Sequence, residues 1–325
     1  MLEVGIIGGA GYTAGELIRL LLNHPETNIN FVYSTSNAGN KIYKVHQDLI
    51  GTTELLFTSA INSDVDVLFL CLGHGNSTSF LQKSTFSENT KIIDLSTDFR
   101  LLVDKNFEEK EFVYGLPELQ KEAIKDAKYI ANPGCFATAL QLAILPLATS
   151  RLLQHDVHIN AVTGATGAGT SLSASTHFTY RDNNFSHYKA FNHQHLKEVN
   201  QTIALLQTDA NAEINFIPNR GNFSRGIFAT TYTKFDGSIQ EAIKMYQAYY
   251  KDAAFTFISE EEIHLKQVVN TNKCLLHLEK HGNKLLITST IDNLLKGASG
   301  QAVQNLNLMY GFGETLGLNL KANYF

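Results

Sequence analysis

Near its N-terminus the chain carries the segment Val4-Gly5-Ile6-Ile7-Gly8-Gly9-Ala10-Gly11-Tyr12-Thr13-Ala14-Gly15, an apolar run that passes into a glycine-rich turn. A helical pattern of leucines follows the turn, and a second apolar run occupies residues 30–33. The order strand, glycine turn, helix, strand is the context of a Rossmann dinucleotide site, in which backbone N–H groups approach a pyrophosphate at the helix start. We therefore predict nucleotide binding here, against the alternative of an ordinary loop. The expected cofactor contacts are Gly8, Ala10, Gly11, Tyr12, Thr13 and Ala14.

The residues after the second strand indicate which nucleotide binds. The strand ends in Ser34-Thr35-Ser36-Asn37, at a point where Asp or Glu would bind the ribose 2′-hydroxyl of NAD and repel a 2′-phosphate. Hydroxyls and an amide, with Lys41 nearby, suit the phosphate better. The sequence therefore predicts NADP, with Ser34, Thr35 and Ser36 as contacts, and a plain polar loop is the alternative.

Two further predicted strands end in small polar loops. Residues 65–71 run into Gly73-His74-Gly75-Asn76, and residues 91–95 run into Ser96-Thr97-Asp98-Phe99-Arg100. In an open parallel sheet, ligands bind outside the carboxyl ends of the strands. Both loops are therefore predicted to line the cofactor and the substrate, and Gly73 is the expected cofactor contact in the first of them.

A cysteine opens the helix that we predict from Ala131-Asn132-Pro133-Gly134-Cys135-Phe136-Ala137-Thr138-Ala139-Leu140. It follows a polar turn and precedes apolar residues at helical spacing. A cysteine in the first turn meets unpaired backbone N–H groups and the positive end of the helix dipole, which favour the thiolate. A thiolate combined with a nucleotide site predicts redox chemistry through a thioester.

A pair of histidines is the second candidate for chemistry, in Phe191-Asn192-His193-Gln194-His195-Leu196-Lys197-Glu198-Val199. Side chains separated by one residue face the same way only if the segment is extended. No further cluster of ligands at metal spacing accompanies them, so we predict no metal. A neutral imidazole near the thiolate is the preferred interpretation, because acyl transfer through sulfur needs proton delivery. A merely structural pair is the alternative.

Two arginines lie among turn-forming residues in the segment 216–227, namely Arg220 and Arg225. The planar fork of arginine suits carboxylate or phosphate, and salt bridges within the protein are the ordinary alternative for each. Near the C-terminus, residues 292–309 read as a glycine-marked turn that enters a helix. We expect this helix to return to the first domain, which makes that domain discontinuous.

Composition excludes several classes of function. The 325 residues, 44% hydrophobic and 18% charged, are typical of a soluble globular protein with two domains. A net charge of −5 does not favour binding to nucleic acid or to an anionic membrane. No apolar run reaches the roughly 20 residues of a membrane span. The N-terminus lacks a signal-peptide pattern, and three scattered cysteines favour a reducing, cytoplasmic location.

The motifs together resemble a known family. The chain is similar to the N-acetyl-gamma-glutamyl-phosphate reductase family, the arginine-biosynthesis member of the aspartate-semialdehyde dehydrogenase-like group. The stretches that carry the resemblance are residues 8–17, Asp94-Leu95-Ser96-Thr97-Asp98-Phe99-Arg100, Val113-Tyr114-Gly115-Leu116-Pro117-Glu118, Asn132-Pro133-Gly134-Cys135, His193-Gln194-His195, Arg225-Gly226-Ile227 and residues 292–309.

The resemblance implies a reaction and roles for residues. An acyl phosphate would be reduced by NADPH to a semialdehyde with release of phosphate, and Cys135 would be the nucleophile. His195 is preferred as the acid/base and His193 as a substrate or phosphate contact, with the reverse assignment open. Further implied contacts are Arg100, Asn132 and Arg225 for the substrate and Asn293 for the cofactor. The family also implies a homodimer or homotetramer.

The predicted fold class is α/β: a Rossmann dinucleotide-binding domain plus an α+β catalytic and dimerisation domain with a mixed sheet. We place the first domain at residues 1–134 and 298–325, and the second at residues 135–297. The alternatives are another acyl-phosphate or semialdehyde dehydrogenase of the same group, a thiol hydrolase, and a nucleotide-responsive regulator without catalysis. Retention of the cysteine and both histidines weighs against the regulator.

The chain departs from the family pattern in a few places. The usual turn reads Gly-x-x-Gly-Tyr-x-Gly-Ala, whereas Ala14 and Gly15 are exchanged here, which leaves the position of the third glycine open. Asn192 and the pair Ala137-Thr138 also differ from common versions. An N-acyl group other than acetyl therefore stays open as the substrate's substituent.

Overall fold

The computed structural model describes all residues from Met1 to Phe325. The chain divides into two compact units, the first comprising Met1–Pro133 with Ala298–Asn319 and the second Gly134–Gly297 with Leu320–Phe325. The strands in chain order are β1 (Leu2–Ile7), β2 (Thr27–Tyr33), β3 (Phe57–Thr58), β4 (Val67–Leu70), β5 (Lys91–Asp94), β6 (Asn106–Phe107), β7 (Lys110–Tyr114), β8 (Tyr129–Ala131), β9 (Val157–Thr163), β10 (Ser186–His187), β11 (Ile214–Arg220), β12 (Ile227–Lys234), β13 (Thr256–Ser259), β14 (Cys274–His281) and β15 (Lys284–Ile291). The helices are α1 (Tyr12–Leu22), α2 (Asn76–Leu81), α3 (Pro117–Asp126), α4 (Cys135–Thr149), α5 (Phe178–Arg181), α6 (His195–Leu206), α7 (Ile239–Tyr249) and α8 (Gly300–Met309).

The first unit is built on an eight-stranded sheet in the order β3-β2-β1-β4-β5-β8-β7-β6. Every neighbouring pair is parallel except β6 and β7, which form an antiparallel hairpin at one edge. Ile7 pairs with both Tyr33 and Leu70, and Leu70 pairs with Asp94. The carboxyl ends of β1, β2, β4 and β5 are therefore level, and the loops that follow them share one edge of the sheet.

Burial explains why these strands form. All four residues of β4 are buried, which is typical of a strand covered by helices on both faces. Helix α1 buries Leu17, Leu20 and Leu21, and it contacts α8, which also packs on α3. The C-terminal helix therefore belongs to the first unit.

The second unit contains a seven-stranded mixed sheet in the order β10-β11-β9-β12-β15-β14-β13. The pairs β9–β11 and β13–β14 are parallel and the other neighbours are antiparallel. Helix α4 packs on β12, β14 and β15 and on α6 and α7. Its residues from Phe136 to Ala148 are all buried, because sheet and helices enclose it on every side. The nucleophile candidate therefore lies at the start of the central helix of this unit.

The structure bears out the predicted fold class, a Rossmann-type sheet plus a second domain with a mixed sheet. The last six residues group with the second unit, whereas the sequence-based division placed them in the first. The Asn323 N–H donates to the carbonyl of Val269, and the Asn270 amide donates to the carbonyl of Lys321, which ties this tail to the second unit. None of the helices is both long and apolar enough for a membrane crossing.

Candidate active site

The glycine turn of the first unit has the geometry of an anion cradle. Gly8 has φ +81°, and a Cβ there would lie 2.6 Å from the carbonyl oxygen of Cys71, so only glycine fits. Helix α1 begins after Gly11, and no side chain caps it. Its N-cap residue is a glycine, which has no side chain to accept from the first N–H groups, and this suits phosphate binding. The six predicted contacts, Gly8, Ala10, Gly11, Tyr12, Thr13 and Ala14, all belong to this turn or to the first turn of α1.

The structure explains the exchanged residues Ala14 and Gly15 of the glycine turn. A Cβ at Gly15 would lie 2.6 Å from Nδ1 of His46, whereas Ala14 is fully buried. The Nε2 atom of the same histidine is 2.7 Å from the carbonyl oxygen of Gly9. The third glycine of this chain is therefore Gly15, and it allows His46 to brace the turn.

The loop that follows β2 lies at the same edge of the first sheet as the glycine turn. Ser34, Thr35 and Ser36 follow β2 directly, and the Asn37 amide donates to the hydroxyls of Ser34 and Ser36. Lys41, which the sequence offered as a phosphate partner, pairs with Glu54 at 2.6 Å.

Asp98, in the loop after β5, fixes the loop that contains Gly73. Its carboxylate accepts from the N–H groups of Gly75 and Thr78 at 2.7 and 3.0 Å. Gly73 itself accepts, through its carbonyl, from the N–H of Asn76. The two loops that the sequence predicted to line the site therefore hold each other in place.

Two predicted substrate contacts, Arg100 and Asn132, lie in the first unit and contact each other. The Arg100 guanidinium donates to the carbonyls of Asn132 and Leu95, both at 2.8 Å, and the arginine is 5% exposed. The Asn132 amide donates to the carbonyl of Ala298 and accepts from Asn305. These bonds fix the segment that leads into the cysteine turn.

Cys135 is the first residue of α4, as the sequence predicted. Gly134 is the N-cap residue, and its N–H donates to the buried carboxylate of Glu198 at 3.0 Å. The N-cap residue is a glycine, so it has no side chain of its own to compete for the N–H groups of the first turn. Glu198 therefore anchors the turn that presents the sulfur, a role that nothing in the sequence pattern indicated.

The two histidines lie beside this turn, although their segment is not extended. Gln194 has helical backbone angles, φ −55° and ψ −32°, yet the imidazole centroids of His193 and His195 are 4.7 Å apart. The His195 ring packs on the N-cap glycine: a Cβ added to Gly134 would lie 2.4 Å from His195 Nε2. His195 therefore sits against the residue that precedes the cysteine.

His193 is a neutral imidazole at physiological pH. Burial, and secondarily the charge of Lys189, lower its pKa to about 4. Its Nδ1 atom accepts from the N–H of His195 at 3.3 Å, which places the ring proton on Nε2. Such a group offers a hydrogen-bond donor and no charge. No cluster of three or more His, Cys, Asp or Glu residues is arranged to hold a metal ion.

The contact between Gly134 and His195 leads to a prediction. The backbone angles of Gly134, φ −72° and ψ 151°, suit any residue, so Gly134→Ala acts only through the new methyl group. That methyl must displace the His195 ring, and we expect kcat to fall by about 10- to 100-fold, the usual effect of misplacing a catalytic group by an ångström. Steady-state kinetics with the Gly313→Ala control, where a Cβ meets nothing within 4 Å, measures the effect. Equal kinetics in both variants would contradict the assigned contact.

Tyr188 and Arg220, neither of which the sequence assigned to the site, lie next to the histidine pair. Burial, and then the negative charge of Cys135, raise the pKa of Tyr188 to about 12. Its ring lies 5.7 Å from that of His193, and the Arg220 guanidinium stacks on it at 4.8 Å. Arg220 was one of two arginines in its segment, and no pattern in the sequence distinguished it from Arg225.

Arg225, the predicted substrate contact of this unit, has a partner within the protein. Its guanidinium is 3.1 Å from the fully buried carboxylate of Asp292. The neighbouring Asn293 accepts from the N–H of Gly226 at 2.7 Å and donates to the hydroxyl of Thr166. Both predicted residues therefore brace the loops at the ends of β9, β12 and β15.

Comparison with known proteins places this architecture in a class. Residues 3–127 match the family described as semialdehyde dehydrogenase, NAD binding domain, and residues 135–293 match semialdehyde dehydrogenase, dimerisation domain. Among solved structures, aspartate semialdehyde dehydrogenase II from Vibrio cholerae superposes with a TM-score of 0.70 at 16% identity, covering 96% of this chain and 99% of that one. The enzyme from Candida albicans with NADP gives a TM-score of 0.69 at 11% identity, covering 95% and 99%. The fold is that of the semialdehyde dehydrogenases, and the two matched domains cover most of the chain.

More similar relatives narrow the class. An N-acetyl-gamma-glutamyl-phosphate reductase from Christiangramia forsetii is 69% identical over 325 residues, and one from Flavobacterium johnsoniae is 59% identical, each match covering 100% of both chains. The chain belongs to the N-acetyl-gamma-glutamyl-phosphate reductase family.

Proposed function

We propose that the protein reduces an N-acyl-gamma-glutamyl phosphate, with acetyl as the acyl group, to the N-acyl-glutamate semialdehyde and phosphate, at the expense of NADPH. The observation that carries the proposal is the position of Cys135 at the start of α4, directly after a glycine N-cap, with the His195 ring against Gly134. Full-length relatives that are named for this activity support it. The reaction belongs to arginine and ornithine biosynthesis.

The residues of the glycine turn suit a dinucleotide. A Cβ at Gly11 would meet only the carbonyl oxygen of Gly8, at 4.0 Å, so open space lies beside the start of α1. We assign the pyrophosphate to this turn and the ribose 2′-phosphate to Ser34, Thr35 and Ser36, where no carboxylate follows β2. Gly73 and Asn293 complete the proposed contacts. NADPH supplies the hydride when it is bound.

In the first chemical step, the Cys135 sulfur attacks the carbonyl carbon of the acyl phosphate. Backbone N–H groups of the first turn of α4 stabilise the oxyanion that develops on the carbonyl oxygen. The carbon–oxygen bond to phosphate breaks, inorganic phosphate leaves with the electron pair, and a thioester remains on Cys135.

In the second step, the thioester carbon accepts the hydride and becomes a thiohemiacetal on Cys135. His195, protonated, donates a proton to the oxygen of that carbon. It then accepts the hydroxyl proton as the carbon–sulfur bond breaks, which releases the semialdehyde and regenerates the thiolate. His193, a neutral donor through Nε2, binds the substrate or the departing phosphate.

Arg100, Asn132 and Arg225 remain the proposed substrate contacts of the family pattern. Their hydrogen bonds within the protein hold them rigidly, which suits groups that must meet a substrate without reorganisation.

The assembly and location are part of the proposal. The second unit matches a dimerisation domain, and this supports a homodimer or homotetramer. The three cysteines form no disulfide, which agrees with a reducing, cytoplasmic compartment.

The test runs the reaction in the oxidative direction. N-acetyl-glutamate semialdehyde, phosphate and NADP should give nicotinamide reduction that requires all three reactants, and NAD in place of NADP should be a poorer substrate. Aspartate semialdehyde is the matched alternative substrate from the same class. Equal or higher kcat/KM with aspartate semialdehyde would replace the proposed substrate, and no reduction with either would contradict an enzymatic function.

A further inference from the structure

Two guanidinium groups of the second unit lack a carboxylate partner. They belong to Arg181, at the end of α5, and Arg220, at the end of β11, and neither forms an ion pair within 4.0 Å. Arg181 is only 6% exposed. In both side chains the Nε atom is buried and has no hydrogen-bond partner. A guanidinium whose Nε is buried and unbonded, with no carboxylate beside it, is costly, and this pair, one buried and one half-buried, therefore indicates an anion that the protein chain does not supply.

The contacts that these arginines do make hold them in place. Arg181 donates to the carbonyl of Arg220 at 2.7 Å and to the hydroxyl of Ser186 at 3.1 Å. Ser186 pairs with Arg220 across β10 and β11, so both hydrogen-bond acceptors of Arg181 lie on this strand pair. The Arg220 guanidinium lies over the Tyr188 ring, 4.8 Å from its centroid. Arg225 is the contrast, because the buried carboxylate of Asp292 neutralises it.

The position of this arginine pair connects it to the nucleophile. The Tyr188 ring packs against His193, whose ring centroid is 4.7 Å from that of His195, and His195 lies against Gly134, the residue before Cys135. His193 in turn packs on Phe216, which lies on the same strand as Arg220. An anion on Arg220 would therefore lie on the side of the cysteine that the two histidines occupy.

We propose that Arg220, held by Tyr188 and backed by Arg181, binds an oxyanion of the substrate beside Cys135. The inference rests on the proposed function, whose substrate carries two such groups, the carboxylate of the glutamyl unit and the phosphate on the reacting carbon. Both match the planar fork of arginine. Arg220 is then a substrate-binding residue in addition to those that the family pattern supplies.

The oxidative reaction separates the two sources of the oxyanion, because semialdehyde and phosphate are then distinct substrates. In Arg220→Gln we expect the KM of one of them to rise by about 10- to 100-fold, the value of a lost charge-assisted hydrogen bond. A rise for the semialdehyde identifies the carboxylate, and a rise for phosphate identifies the phosphate. Arg220→Lys keeps the positive charge but not the planar guanidinium, so its KM should lie between those of the wild type and Arg220→Gln. If both KM values stay within about 2-fold of the wild type, the proposal is wrong.

The matched control is Arg151→Gln. Arg151 belongs to the same unit, is largely exposed and pairs with Asp209 at 3.4 Å. It should leave both KM values unchanged. A rise of equal size in this variant would assign the effect to net charge and overturn the proposal.

A second measurement does not depend on the enzymatic activity. Iodoacetate and iodoacetamide alkylate the same sulfur and differ in one carboxylate, which Arg220 should attract. In Arg220→Gln the rate of Cys135 carboxymethylation by iodoacetate, followed by peptide mass spectrometry, should fall about 10-fold or more, while the rate with iodoacetamide stays within about 2-fold. Equal slowing with both reagents would mean a structural role and refute the inference. If wild-type protein prefers iodoacetate through Arg220 but gives no phosphate-dependent reduction, the proposed function fails and the anion site stands.

Discussion

Replacing Cys135 with serine is expected to abolish turnover, with a loss of at least about four orders of magnitude in kcat. A serine hydroxyl at the start of α4 stays protonated near neutral pH, because the N–H groups of the first turn and the helix dipole shift a pKa by far less than the difference between hydroxyl and thiol. An oxygen ester would also be a poorer hydride acceptor and would release the aldehyde more slowly than a thioester. Steady-state rates in both directions measure the effect.

The same substitution should leave the cofactor site intact. Cys135 belongs to the second unit, whereas the glycine turn lies in the first, so titration of Cys135→Ser with NADPH should give a Kd within about 2- to 3-fold of the wild type. Wild-type enzyme given acyl phosphate without NADPH should accumulate an acyl group on the peptide that contains Cys135. Substantial turnover in the serine variant, or no acyl adduct on that peptide, would contradict the covalent route.

Much of the fold was predictable because its strongest signals are local. The apolar run of β1, the glycines after it and the leucines of α1 follow one another within twenty-two residues, and each leaves a periodic trace. The start of α4 at Cys135 was equally visible. The short strands β6, β7 and β8 were missed, because runs of two to five residues carry too little periodicity to be recognised.

The site was only partly predictable because its contacts are distant in sequence. Glu198 reaches the N–H of Gly134 from 64 residues away, and His46 meets Gly9 from 37 residues away. Neither pairing leaves a spacing pattern. The two histidines were recognised because they stand two residues apart in the sequence. The extended backbone expected for them is wrong, since Gln194 has helical angles and α6 begins at His195.

The partners of the arginines are also distant in sequence and could not be predicted. Three of them, Arg100, Arg220 and Arg225, were visible as cations among turn residues, and sequence alone cannot say which has a counter-charge. The tertiary structure gives Arg225 a carboxylate 67 residues away and Arg100 two backbone carbonyls, and it leaves Arg220 without an acid. The absence of a carboxylate partner therefore distinguishes Arg220 from Arg225, and this information is absent from the segment 216–227.

The second large effect concerns the general acid. His195→Asn is expected to lower kcat by about two to four orders of magnitude, because proton delivery to the thiohemiacetal oxygen and its later removal both lose their carrier. The Nε2 atom of His195 faces Gly134, next to the nucleophile, and asparagine cannot donate and accept protons in turn. Pre-steady-state measurement should show that acylation of Cys135 persists while hydride transfer and aldehyde release slow.

His193→Asn is the matched control, since the two rings lie 4.7 Å apart and both are buried. With its pKa lowered to about 4, His193 is not an imidazolium at neutral pH and cannot act as a general acid there, so it cannot produce a limb in the rate profile between about pH 6 and pH 8. Asparagine retains an N–H donor, and we expect mainly a rise in KM, by about 10-fold or less. A general acid must be protonated, so a limb that falls with rising pH should disappear in His195→Asn and persist in His193→Asn. If the His193 variant loses more kcat, or alone loses that limb, the roles of the two histidines are reversed.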